Sequence, residues 1–239
     1  MKKTYQRLLA IALAVMLLLS LVPLVRAEDA ADVHAPYLCG YPDGTIRPDE
    51  PLTREALAQA LYRMMDAAYL DELGPCDGHF SDVAPDRWSY PAVSTLARLT
   101  LLPADADGSF YPERGVTGRE LALTLARIAG MQAGVDALGD LTDGWKAQMV
   151  TFAAGYGWVM GLQDGVFTPD APLTRAQFAQ IMNRVLGRTP ASLDDLMIGM
   201  PLFSDNTDTT AWYFLELQEA ATDHSFRMAD GHEIWTGLG

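Results

Sequence analysis

The chain has 239 residues, with 17 basic and 31 acidic side chains, a formal charge of −14 and 49% apolar residues. A surface of that sign repels nucleic acid and anionic membranes, so an anionic partner would need locally clustered arginines. Otherwise the acidity serves the solubility of an exported protein.

Residues 1–27 read as a secretory signal. Lys2, Lys3 and Arg7 form the basic end, Leu8 to Leu24 the apolar run, and Val25-Arg26-Ala27 a small-residue cleavage site. The rival is an uncleaved membrane anchor. The run is at the lower limit for spanning a bilayer and contains Pro23. Cleavage would remove four of the 17 basic residues and no acid, leaving 13 against 31, a formal −18, and 212 residues, ample for a core. No membrane contact is then expected. Residues 28–35 form a short linker. Cys39 and Cys76 leave a disulfide open in an exported chain.

Three stretches follow that say nearly the same thing. Asp43-Gly44 precedes Thr53-Arg54-Glu55, Asp107-Gly108 precedes Thr117-Gly118-Arg119-Glu120, and Asp164-Gly165 precedes Thr174-Arg175-Ala176-Gln177. Turns and threonines both step by 64 and then 57 residues. Two features keeping step mark an internal repeat, which fixes architecture before any single residue does. After Thr53 the apolar positions Leu57, Ala60, Leu61, Met64 and Met65 follow helical spacing, as do Phe178, Ile181, Met182, Val185 and Leu186. Leu121, Leu125, Ile128 and Ala129 give a thinner stripe. Each threonine suits an N-cap, and Thr117…Glu120 and Thr174…Gln177 predict capping boxes that Thr53…Ala56 lacks.

A second element recurs out of phase. Trp88, Trp145 and Trp212 each open an apolar stretch, entered by Phe80-Ser81-Asp82, the degraded Leu141-Thr142-Asp143, and Phe203-Ser204-Asp205. The chain therefore divides into a second-half repeat at 36–72, full repeats at 80–130 and 139–188, a first-half repeat at 203–222, and a C-terminal flap at 223–239. The orphan halves add up to one unit. Residues 203–222 are expected to pack beside residues 37–66 and close a ring, since repeat units cannot bury their apolar faces alone. The predicted fold is mainly α: three helix–loop–helix repeats in a pseudo-threefold bundle, with very short β pieces at most.

The paired pattern, Phe80-Ser81-Asp82-Val83 through Trp88 and then Asp164-Gly165-Val166-Phe167-Thr168-Pro169 with Leu173-Thr174-Arg175-Ala176-Gln177, resembles the S-layer homology family over about residues 36–222. The resemblance implies a secreted bacterial cell-wall or S-layer protein. Such a protein binds noncovalently, in grooves between repeats, to an anionic secondary cell-wall polysaccharide, often pyruvylated. The family's binding positions map to Arg54 and Arg175, to Trp88, Trp145 and Trp212, and to Gly44, Gly108 and Gly165. The chemistry is reasonable in itself. An arginine fork fits a carboxylate bidentately, a helix first turn favours an anion, and an indole face suits a sugar ring. The competing roles are core packing for the tryptophans, surface ion pairs for the arginines, and turn formation for the glycines. In the second copy Arg119 falls one place late, about 100° around the helix, and is expected to miss the ligand.

The alternative function is a protein-interaction or surface-assembly subunit, self-assembling or joined to another surface protein, that uses the same bundle without glycan. An enzyme is not expected. The sequence has no His-Glu-x-x-His, Gly-x-Ser-x-Gly or phosphate loop, and the repeats leave no span for a catalytic domain. No cofactor and no metal are expected either. A calcium loop at Asp105-Ala106-Asp107-Gly108 would need ligands where Pro103 and Arg114 stand. His224 and His232, with Asp223 and Glu233, read as packing or surface residues of the tail, and Glu233-Ile234-Trp235 as a flap over the bundle.

Overall fold

The computed structural model describes residues 32–78, 80–132, 170–188 and 190–239. It separates Met1–Asp32 from a compact unit, Val33–Gly239. The signal, the entry to the third copy, Trp145 and Gly165 lie outside the described residues.

Six α-helices are found among the described residues: α1 (Arg54–Arg63), α2 (Ala67–Leu73), α3 (Tyr90–Arg98), α4 (Gly118–Gln132), α5 (Arg175–Leu186) and α6 (Phe214–Ala221). Their starts follow the local chemistry read from the sequence. Thr53 accepts from the Ala56 amide, and Thr174 with Gln177 makes a reciprocal capping box before α5. At α4 the Thr117 hydroxyl accepts from the Glu120 amide. The Glu120 carboxylate, however, turns to arginines instead of completing a box. Gly187 ends α5 in the left-handed conformation that glycine adopts at least cost. The apolar stripes face one core, in which Leu57, Leu61, Leu96, Leu121, Phe178 and Ile181 are buried together.

Two matching sets of hydrogen bonds hold half-units together. In the complete copy, Asp82 accepts from the Phe110 and Tyr111 amides, and the Leu96 carbonyl accepts from Leu101 and Leu102. Between the chain's terminal halves, Asp205 accepts from the Ile46 and Arg47 amides, and the Ala220 carbonyl accepts from Tyr37 and Leu38. The orphan halves are thus joined by the bonds that hold one unit together. The segments before the three cap threonines link in a cycle: Leu52 donates to Leu173, Leu173 to Val116, and Val116 to Leu52.

The expectation of very short β pieces needs correction. A three-stranded sheet in the order β1 (Asp32–His34), β2 (His224–Ala229), β3 (His232–Leu238) occupies the tail. β2 and β3 run antiparallel across a two-residue turn, Asp230-Gly231, where both residues have positive φ, 51° and 85°. Asp-Gly is the strongest short hairpin signal, and alternation along β3 sends Glu233 and Trp235 inward. Trp235 packs with Leu196 and Phe214 in a small second core. The tail is therefore a hairpin, and its length follows from that turn. Cys39 and Cys76 are free thiols.

Candidate functional site

Arg54 and Arg175 begin α1 and α5 directly after their cap threonines. Both are buried, at 2% and 3% exposure. Each guanidinium reaches across to the turn of a neighbouring repeat and makes the same two bonds. Arg175 donates from Nε to the Ile46 carbonyl at 2.7 Å and from Nη2 to the Cys39 carbonyl at 2.6 Å. Arg54 donates from Nε to Phe110 at 2.7 Å and from Nη2 to Pro103 at 2.8 Å. Two fork nitrogens thus fix the turn in each case.

What lies beyond differs. Arg54 Nη1 pairs with the Glu120 carboxylate, which also takes Arg114 at 3.2 Å. That pair stands in a small cavity of about 280 Å³ lined by Pro103, Asp105, Arg114, Arg119 and Arg127. Burial and the nearby Arg114 push the Arg54 guanidinium down to about 10, still charged at neutral pH. Ala56 occupies the place equivalent to Glu120 in the groove beside Arg175. That groove is about 850 Å³, lined among others by Gly40, Tyr41, Arg47, Gln59, Arg63 and Trp88. The Tyr41 ring lies between two cations, with Arg47 at 3.8 Å and Arg175 at 4.9 Å from its centre.

Trp88 is 60% exposed on the wall of this groove. Its placement is built by its neighbours. Arg87 binds Glu55 through two nitrogens at 2.8 Å each, and the Ser89 hydroxyl donates to the same carboxylate at 2.6 Å. Glu55 is buried in the first turn of α1 and clamps the residues on either side of Trp88. The indole is left facing outward. Glu113, the other acid on the groove wall, also pairs with Arg87, at 2.9 Å. Arg63 is exposed in the last turn of α1 and has no acidic partner among the described residues.

The other expected residues lie elsewhere. Trp212 is half-buried, edge-on to Tyr213, and packs against the core. Gly44 sits at a turn tip with φ 81°, and its carbonyl accepts from the Ser204 amide, so it serves the turn and the junction of the terminal halves. Gly108 repeats that conformation at φ 82°. Arg119 forms a paired contact with Asp170 at 2.8 and 3.1 Å. Trp145 and Gly165 cannot be placed, because they fall outside the described residues.

Sequence reasoning passes over Tyr41, Gln59, Arg47 and Arg63. For Arg63 a signal exists: Arg63, Arg127 and Arg184 recur at the same 64- and 57-residue steps as the cap threonines. Tyr41 carries no such signal, since Asp105 stands at its place in the second copy.

Comparison with known proteins finds relatives of the repeats. A model of the S-layer homology domain matches residues 37–58, 79–122 and 140–179. Cell surface glycoprotein 1 of Acetivibrio thermocellus is 26% identical over 86% of this chain and 9% of its own length. The cellulosome-anchoring protein of the same organism is 25% identical over 84% of this chain and 45% of its own. An endoglucanase of a Bacillus species is 26% identical over 72% of this chain and 19% of its own. The chain thus spans less than half the length of each of these relatives. No described helix is long and apolar enough to cross a membrane.

Proposed function

This chain carries S-layer homology segments in each of its three repeats, and from that premise we propose that it is a noncatalytic cell-surface protein. In this reading it binds an anionic secondary cell-wall polysaccharide in the groove between Arg175 and Trp88. In the same reading the repeats form a pseudo-threefold bundle, which the cycle of bonds through Leu52, Val116 and Leu173 supports. The signal at 1–27 exports the chain to the wall.

One observation carries the ligand chemistry. In the sister groove the protein places its own carboxylate, Glu120, against Arg54 Nη1. Ala56 leaves the same position open beside Arg175. A carboxylate on a sugar, such as a pyruvyl ketal, supplies there what Glu120 supplies next door. The exposed Trp88 face stacks on the sugar ring, and Arg47 and Arg63 add positive charge. The Arg54 groove is in this reading closed by its own acid, so the Arg175 groove carries the binding.

Sedimentation with wall sacculi, before and after the secondary polymer is stripped, tests the proposal. The protein should pellet with intact sacculi and stay in solution with stripped ones. Binding that survives stripping sinks the glycan reading and favours an assembly subunit. Trp88→Ala should weaken pelleting about five- to tenfold, the worth of one aromatic stacking contact. Its melting temperature should hold, because the indole is outside the core.

A further inference from the structure

Away from the groove, the tail sheet gathers three buried side chains and one half-buried one from four separate elements: Glu219 of α6, His224 of β2 and Glu233 of β3, with the half-buried His34 of β1. One donor atom from each lies within 4.8 Å of all the others. From this juxtaposition we infer that His34, Glu219, His224 and Glu233 form a binding site for one divalent transition-metal ion of the zinc type.

The shortest separations approach those the ion requires, and the widest, up to 4.8 Å, would contract on binding. Zinc held at about 2.0–2.1 Å by four donors in a tetrahedron separates those donors by about 3.3 Å. His34 Nδ1 is 3.1 Å from Glu219 Oε1 and 3.5 Å from Glu233 Oε2, and His224 Nε2 is 3.3 Å from Glu219 Oε2. Two imidazoles with two carboxylates suit zinc or its neighbours, whereas calcium and magnesium prefer oxygen alone.

Two of the inward atoms are left bare by the hydrogen bonding, while His34 Nδ1 lies within hydrogen-bond distance of Glu219 Oε1. His224 Nδ1 faces the Thr222 carbonyl at 2.9 Å, so it carries the proton and Nε2 presents a lone pair to the cluster. That Nε2 and Glu233 Oε2 are buried without a hydrogen-bond partner. Orphaned polar atoms in the interior are costly, and a cation between them would satisfy both. Glu219 and Glu233 are 0% and 2% exposed, so two carboxylates share a dry space that a divalent charge would balance.

The surroundings are those of a held site. The bond from His224 to Thr222 and that from Trp235 Nε1 to Glu219 Oε2, 3.0 Å, hold two of the four ligands in place. Trp235 stacks on His224 at 4.0 Å, and Phe226 lies 4.0 Å from His34, so both rings are fixed by packing. His232 stands apart, paired with Asp195 at 3.3 Å.

The test is metal uptake by the purified chain, stripped with a chelator and titrated with Co²⁺ and then Zn²⁺. The expected result is one ion per chain, a Co²⁺ visible spectrum of tetrahedral intensity, displacement by Zn²⁺, and a higher melting temperature with zinc than with chelator. His34→Ala and Glu233→Gln should each cut affinity by at least about a hundredfold, above the roughly ten- to hundredfold typical of outer partners. His232→Ala should bind as the parent does. Glu233→Gln keeps the side-chain shape, so it decides the question if His34→Ala fails to fold. Failure to take up stoichiometric metal, or uptake unchanged in the folded variants, overturns the proposal. The wall-binding reading stands or falls separately, by sedimentation.

Discussion

Glu120 and Ala56 hold the same place in consecutive repeats, and that one difference separates a groove filled by its own acid from an open one. Ala56→Glu should therefore plug the Arg175 groove and abolish pelleting with sacculi. The helix should not suffer, because an acid in the first turn is favoured by the helix dipole. A melting temperature equal to or slightly above the parent's, with binding lost, is the expected pair of results. Glu120→Ala should do the reverse and add binding capacity at Arg54; pelleting left unchanged would count against the plug. Arg175 is harder to vary, because its fork also holds the Ile46 and Cys39 carbonyls. Arg175→Ala leaves both without their donor and should cost about 2–4 kcal/mol in urea unfolding. At this scale the positions of Arg54 and Arg175 were legible, since they follow repeated caps. The partnership of Arg54 with Glu120 was not. Nothing in their spacing tells which of several acids a buried fork will meet.

Helix starts and stripes could be read from the sequence, because caps and apolar periodicity act within a turn or two of chain. The hairpin of β2 and β3 was equally local. Asp230-Gly231 has the composition of the repeat turns but lies between alternating residues, and alternation turns an Asp-Gly pair into a hairpin. The acids that enter each Trp stretch are the element-scale surprise. Asp82 and Asp205 each accept two backbone amides of a following or closing turn. Asp205→Ala should cost about 1–3 kcal/mol, and Asp82→Ala a similar amount, as expected for exposed charge-assisted bonds. Equal midpoints for parent and variants in urea would show that the turns hold without them.

For the whole molecule, the junction of the terminal halves carries the heaviest demand. Residues 203–239 supply Asp205, the Ala220 carbonyl and Glu216, which accepts from Asn183; Asn183 in turn accepts from Tyr37. Deleting residues 203–239 should expose the buried faces of Tyr37, Leu38 and α5 and unfold the N-terminal half. A truncated chain whose circular dichroism and melting match the parent would refute that dependence. The acidic surface sets a second global expectation. If the Arg175 groove binds an anionic polymer against a negative background, pelleting should weaken steeply as salt rises.

The sequence by itself determined the repeat, its phase, the capped helix starts, and which arginines and tryptophans stand as candidates for the site. Those features depend on contacts a few residues apart, or on spacings that recur. Only the tertiary structure decided which arginine is closed by Glu120, which tryptophan faces outward, and that His34 meets Glu219, His224 and Glu233. These outcomes join residues up to about 200 positions apart. They depend on how helices and strands pack, and local propensity carries no record of that.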